Sequence, residues 1–136
     1  MSQENVEIVR RIYAAIARRD DETPFRLYSE DIAWDLSNAG RALMFTKPVY
    51  RGHEGVRQSW REAFAAFGEI SFEVERLIDG GEHVLAVINE WETGRSSGAR
   101  VESSHLAVWT LADGKVIRLQ VFDDRQAAFE AAGLPE

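Results

Sequence analysis

Residues 108–125 read VWTLADGKVIRLQVFDDR, and their pairing decides the fold. Asp113-Gly114 stands between two runs rich in β-branched and aromatic residues, the strongest short-range mark of a two-residue hairpin turn. Strands are therefore predicted over 100–111 and 115–123. With unbroken pairing across that turn, Thr110 opposes Ile117, Val108 opposes Leu119, Leu106 opposes Val121 and Ser104 opposes Asp123 on one face. Trp109 with Arg118, Ala107 with Gln120 and His105 with Phe122 occupy the other face. The first face is the more apolar and is expected to look inward. The second is expected to meet solvent or a partner subunit.

Working outward, Ile70, Phe72 and Val74 alternate with Ser71, Glu73 and Glu75, which predicts a strand over 69–78. DGGE turns the chain into a strand over 83–93, and GRSSG turns it again. These four strands are expected to run as a meander. Ahead of them the period is helical: Val6, Val9, Ile12, Tyr13 and Ile16 recur at steps of three and four, predicting a helix over 3–18. Thr23-Pro24 reads as N-cap and first position of a short second helix that carries Phe25, Leu27 and Tyr28 inward. A short strand follows over 31–36, and Val56, Trp60, Ala63, Phe64 and Phe67 mark a third helix that stops at Gly68. Between them, SNAGRALMFTKPVYRG is longer than most connections and is a candidate lid or pocket rim. DDRQAAFEAAGLP closes as a brief helix, with Asp124 as its cap and Gly133 as its stop.

The chain of 136 residues is expected to form one domain, 1–136, large enough to bury roughly two-thirds of its unfolded surface. A net charge of -7 removes the usual electrostatic drive toward nucleic acid or anionic membrane, so neither is expected as a partner. The absence of cysteine excludes disulfides, thiolate metal sites and a cysteine nucleophile. No apolar run approaches the roughly 18 residues of a membrane span, and a cytoplasmic location is expected. His53, His83 and His105 lack metal-ligand spacing and fall on a helix start, a turn and the outer sheet face, so no metal is expected. No nucleophile elbow, phosphate loop or nucleotide fingerprint is present, and no cofactor is expected.

The order helix, helix, strand, helix and four strands is an α+β layout with helices on one face of a sheet. The segments ENVEIVRRIYAAIARRD, SEDIAWD, YRGHEGVRQSW and VWTLADGKVIRLQVFDDR resemble the nuclear transport factor 2-like superfamily, and within it the SnoaL-like group that includes polyketide cyclases. The resemblance spans nearly the full chain. It implies a conical barrel, a curved antiparallel sheet wrapped around the N-terminal helix, with an apolar pocket between them. It also implies a homodimer through the outer sheet face, here by way of Trp109, Arg118, His105, Phe122 and Leu111.

Ketosteroid isomerase, in the same superfamily, resembles the chain at two points. Its first-helix tyrosine is matched by Tyr13, and its general-base aspartate by Asp35 at the end of EDIAWD. Where that enzyme has a protonated aspartic acid, this chain has Ser104 beside His105. What the resemblance implies is proton abstraction next to a carbonyl, with Asp35 as base, Tyr13 as hydrogen-bond donor and Asp123 as a second acid. Trp34, Trp60, Trp91, Ser104, Leu106, Val108, Leu119 and Val121 are the expected pocket lining. SnoaL-like cyclases resemble the same scheme, closing a ring without metal or cofactor. Each residue also has a structural reading. Asp35 can open an Asx-type turn into Leu36-Ser37-Asn38, and alternation directs it away from the face of Ile32, Trp34 and Leu36. Tyr13 can fill the core, and Asp123 can belong to the cap of the last helix. Two functions follow: a cofactor-free isomerase or cyclase acting on an apolar carbonyl compound, or a non-catalytic binding protein for a hydrophobic small molecule.

Overall fold

The hairpin forms where the sequence places it: Ala112 pairs with Lys115 around Asp113 and Gly114, whose φ angles are 51° and 78°. Two successive positive φ values make the type I′ turn that suits strand twist. One step further the ladder departs from the unbroken register. Leu111 pairs with Val116 but Thr110 pairs with Arg118, which leaves Ile117 as a β-bulge. Every later pair is displaced by one residue, so Trp109 meets Leu119, Ala107 meets Val121 and Leu106 meets Phe122. The expected faces are corrected accordingly. Leu111, Trp109, Ala107 and His105 look inward with Val116, Leu119 and Val121, whereas Leu106, Val108 and Phe122 lie on the outer face.

The computed structural model describes residues 2–40, 46–94 and 97–136. Its elements run α1 (Ser2–Ala17), α2 (Glu22–Leu27), β1 (Tyr28–Asn38), β2 (Val49–Arg51), α3 (Gly52–Phe67), β3 (Glu69–Gly80), β4 (His83–Thr93), β5 (Arg100–Ala112), β6 (Lys115–Phe122) and α4 (Arg125–Ala131). The strands form one curled sheet in the order β2-β1-β6-β5-β4-β3. The predicted meander occupies four of those places. β1 joins β6 in parallel and the other neighbours are antiparallel, so the sheet is mixed and, with β2 and β3 at its edges, unclosed. β2 arises within the connection read as a rim, whose residues 41–45 lie outside the described residues.

Local chemistry explains the element ends. α1 stops at Ala17, and Arg19 takes a left-handed φ of 62°. Asp20 then accepts the amides of Glu22 at 3.0 Å and Thr23 at 3.1 Å, so the first amides of α2 are met by Asp20, one residue before the N-cap Asp21, and not by Thr23. Gly68, with φ 80°, ends α3, and Asp124 accepts the Gln126 amide at the start of α4.

Two cores result. The larger lies between the inner sheet face and the helices, with Val9, Ile12, Ile32, Val56, Ile88 and Val116 fully buried. The smaller lies on the outer face, where Ala128, Phe129 and Ala132 cover Leu85, Val87, Leu106, Val108 and Phe122. The surface expected to form a homodimer is thereby corrected. Trp109, His105 and Leu111 face inward and Phe122 lies under the C-terminal helix, leaving only Arg118 of that group outward and exposed.

A polar-ended cavity on the inner sheet face

Sheet curl and the two long helices line an open-sided cavity of about 190 Å³. Tyr13 and Ile16 reach it from α1, Trp60 and Ala63 from α3, and Trp34 and Leu36 from β1. Ile70 and Phe72 close one side from β3, while Ala107, Trp109, Leu119 and Val121 form the floor. Trp34, Tyr13 and Tyr28 all pack on Trp109, with centroids 6.0, 5.4 and 6.3 Å from it, so the apolar end is built around that indole.

Tyr13 has a fixed hydrogen-bond polarity. The Trp109 indole N–H donates to the Tyr13 hydroxyl at 3.0 Å, and an indole nitrogen cannot accept in return. The phenol must therefore direct its own hydrogen elsewhere. Burial raises the Tyr13 pKa well above that of a free phenol, against a smaller lowering by Trp109, so the group stays protonated at neutral pH.

The opposite end is polar. Alternation along β4 continues from Ala86 and Ile88 on the inner face to Glu90 and Glu92, and β5 adds Ser103 and His105. Glu92 is buried, and Glu90 Oε1 stands 3.8 Å from His105 Nδ1. Burial pushes the imidazole down to about 4, outweighing the charges of Asp123 and Glu92 that favour its protonation. His105 is thus neutral at pH 7, one nitrogen a donor and the other an acceptor. Asp123 borders the cavity at its rim, its amide donating to the Asn38 carbonyl at 3.2 Å.

Of the residues singled out from the sequence, Tyr13, Asp123, Trp34, Trp60, Leu119 and Val121 border this cavity, and Ser104 touches its edge. Four do not. Leu106 and Val108 belong to the outer core because of the bulge. Trp91 alternates against Glu90 and Glu92, and its ring packs under Arg100 at 4.8 Å. Asp35 stands level with Gln120 on the outer face, where Oδ1 accepts from the Ser37 amide at 2.9 Å and its hydroxyl at 2.5 Å. Oδ2 accepts from Arg118 at 3.1 Å. Burial alone would raise the Asp35 pKa, but the bonds from Ser37 and Arg118 outweigh it and hold the carboxyl below its ordinary value. This is Asx-turn geometry outside the cavity. Glu90, Glu92 and His105 border the cavity although the sequence reading does not place them there. The in-line spacing of Ala86, Ile88, Glu90 and Glu92 was the available sign for the two acids.

The sequence model of the SnoaL-like domain matches residues 9–119. Among proteins of curated function, none matches. Among solved structures, TerC, co-crystallized with polyporic acid, has 20% identity and a TM-score of 0.78, over 96% of this chain and 98% of its own. An NTF2-like protein of unknown function from Burkholderia pseudomallei has 19% identity and a TM-score of 0.78, over 93% of this chain and 95% of its own. A candidate SnoaL-like polyketide cyclase from Jannaschia sp. CCS1 has 21% identity and a TM-score of 0.70, over 99% and 95% of the two chains. At these identities the likeness is one of fold.

Proposed function

The chain belongs to the SnoaL-like domain family, and on that premise we propose that it is a cofactor-free isomerase or cyclase acting on a small apolar carbonyl compound. The observation that carries this reading is the Trp109-to-Tyr13 hydrogen bond, which leaves the phenol's own hydrogen, on a side chain that borders the cavity, for another acceptor. A substrate carbonyl oxygen placed there accepts that bond, and the negative charge of the enolate develops against a donor on a buried side chain. The proton leaves the adjacent carbon for a carboxylate at the polar end. Asp123 suits this role because it sits at the exposed rim, where its proton can return to water or to the product. Asp35, on the opposite sheet face, takes no part. A volume near 190 Å³ is below the roughly 300–1,000 Å³ of drug-sized pockets, so it suits a one- or two-ring compound better than a steroid.

The test is deuterium exchange at the carbon next to a ketone, followed by NMR, with binding read from quenching of the cavity tryptophans. Wild-type protein should exchange a bound aryl ketone. Tyr13→Phe and Asp123→Asn should each retain binding and lose roughly 100-fold or more of the exchange rate. Binding by the wild type without exchange would favour the non-catalytic binding protein.

A further inference from the structure

A second opening, about 1010 Å³, lies between α1, α2, α3 and β3. It shares Tyr13, Ile16, Trp60, Ile70 and Phe72 with the smaller cavity, so the two openings adjoin along one set of side chains. Its charge differs from that of the molecule. Five arginines (10, 19, 57, 61 and 76) line it against three acids, Asp20, Asp21 and Glu75, in a chain whose net charge is -7. Three of those arginines are already engaged: Arg10 by Glu7, Arg19 by Glu69 and Arg61 by Glu54. Arg57 and Arg76 have no carboxylate within ion-pair distance among the described residues. The Arg57 guanidinium lies 4.2 Å from the Phe25 ring centroid, which holds its plane while leaving its edge N–H groups open.

We propose that this cleft binds the carboxylate of an amphipathic ligand, with Arg57 and Arg76 as its partners and the apolar body passing toward the smaller cavity. The inference rests on the ketone chemistry proposed above and narrows its substrate class to apolar keto acids. A planar guanidinium fork matches a carboxylate by paired hydrogen bonds. Asp20, Asp21 and Glu75 on the same walls oppose a second negative charge, so a monoanion fits better than a phosphate dianion. The shared side chains, Tyr13, Ile16, Trp60, Ile70 and Phe72, supply the apolar contact between the two ends.

The probe is benzoylpropionate, which has one ring, an enolisable ketone and a terminal carboxylate, compared with its methyl ester and with the phosphate monoester of the matching hydroxy ketone. Tryptophan quenching should show wild-type protein binding the acid roughly tenfold or more tighter than the ester, with the difference shrinking as salt rises. The Arg57→Gln/Arg76→Gln protein should bind acid and ester alike, while Arg11→Gln, which removes one charge from α1 outside both openings, should keep the preference. Equal binding of acid and ester by the wild type, a preference that survives the double substitution, or tighter binding of the phosphate would overturn the proposal. Binding of the acid without deuterium exchange would remove the catalytic reading and leave the carboxylate site standing. Exchange with equal affinities would do the reverse.

Discussion

His105 should make the protein lose stability in mild acid. In the unfolded chain its imidazole has the ordinary value of 6.5, and in the fold burial pushes it down to about 4. Above pH 6.5 both states are neutral and the group adds no pH dependence. As pH falls from there toward 4, the unfolded chain takes up a proton that the folded one refuses, so stability falls through that window. The whole interval corresponds to roughly 3 kcal/mol, of which about 2 kcal/mol should be lost between pH 7 and pH 5. Asp20 and Asp35 also lose stabilising contacts in acid, but their carboxyls lie below the ordinary value in the fold, so their contribution begins only near and below the carboxylate range. Between pH 7 and 5 the drop therefore belongs mainly to His105. Urea denaturation at the two pH values, on wild type and His105→Gln, measures it. Wild type should lose the stated amount, and the variant, which cannot titrate there, should be nearly flat. An equal loss in both proteins, or an NMR midpoint for His105 near that of a free imidazole, would refute the reasoning.

Asp35→Asn should leave ligand affinity and any deuterium exchange unchanged, while costing about 1 kcal/mol through the weakened Ser37 and Arg118 bonds, Arg118 being half exposed; activity and urea midpoints check both halves. Phe129→Ala should cost about 3–5 kcal/mol in thermal or chemical unfolding, because Phe129 is 5% exposed and closes the outer core. Gly114→Ala should destabilise by about 1 kcal/mol, since the alanine must adopt the glycine's φ of 78° although nothing lies near its Cβ; a cost near zero would remove backbone conformation as the reason for glycine there.

Local chemistry made most elements legible. The Asp113-Gly114 turn, the Asp124 cap and the Gly68 stop each act within a few residues, and the structure keeps all three. The parallel union of β1 with β6, from Tyr28–Val116 to Asn38–Phe122, joins segments far apart in the chain, and no local pattern marks it. Nor does any pattern announce that α4 will cover the outer face. That cover in turn defeats alternation, because Leu106 to Trp109 must be apolar toward both cores. A run apolar on both faces gives no sign of which residues look inward.

One residue accounts for two of the four misplaced site residues, Leu106 and Val108, and for the inward turn of His105. In VIRL, Val116 and Leu119 are both buried with Ile117 and Arg118 exposed between them, a spacing of three that strict alternation cannot produce. A bulge is the arrangement that returns the strand to the inner face after two outward residues. Because strand side chains alternate with period two, a slip of one reverses every later assignment: His105 moves from the outer face into the cavity, and Leu106 and Val108 leave it. The same slip brings Trp109 inward, within reach of Tyr13, and so creates the hydrogen bond on which the proposed chemistry depends. Asp35 obeys the opposite logic. Its direction was readable from alternation with Ile32, Trp34 and Leu36, and the pairing of Trp34 with Leu119 places it on the Arg118 side of the sheet. The aspartate in EDIAWD therefore sets the turn that follows its strand, while the Ile117 bulge turns Trp109 and His105 toward the cavity.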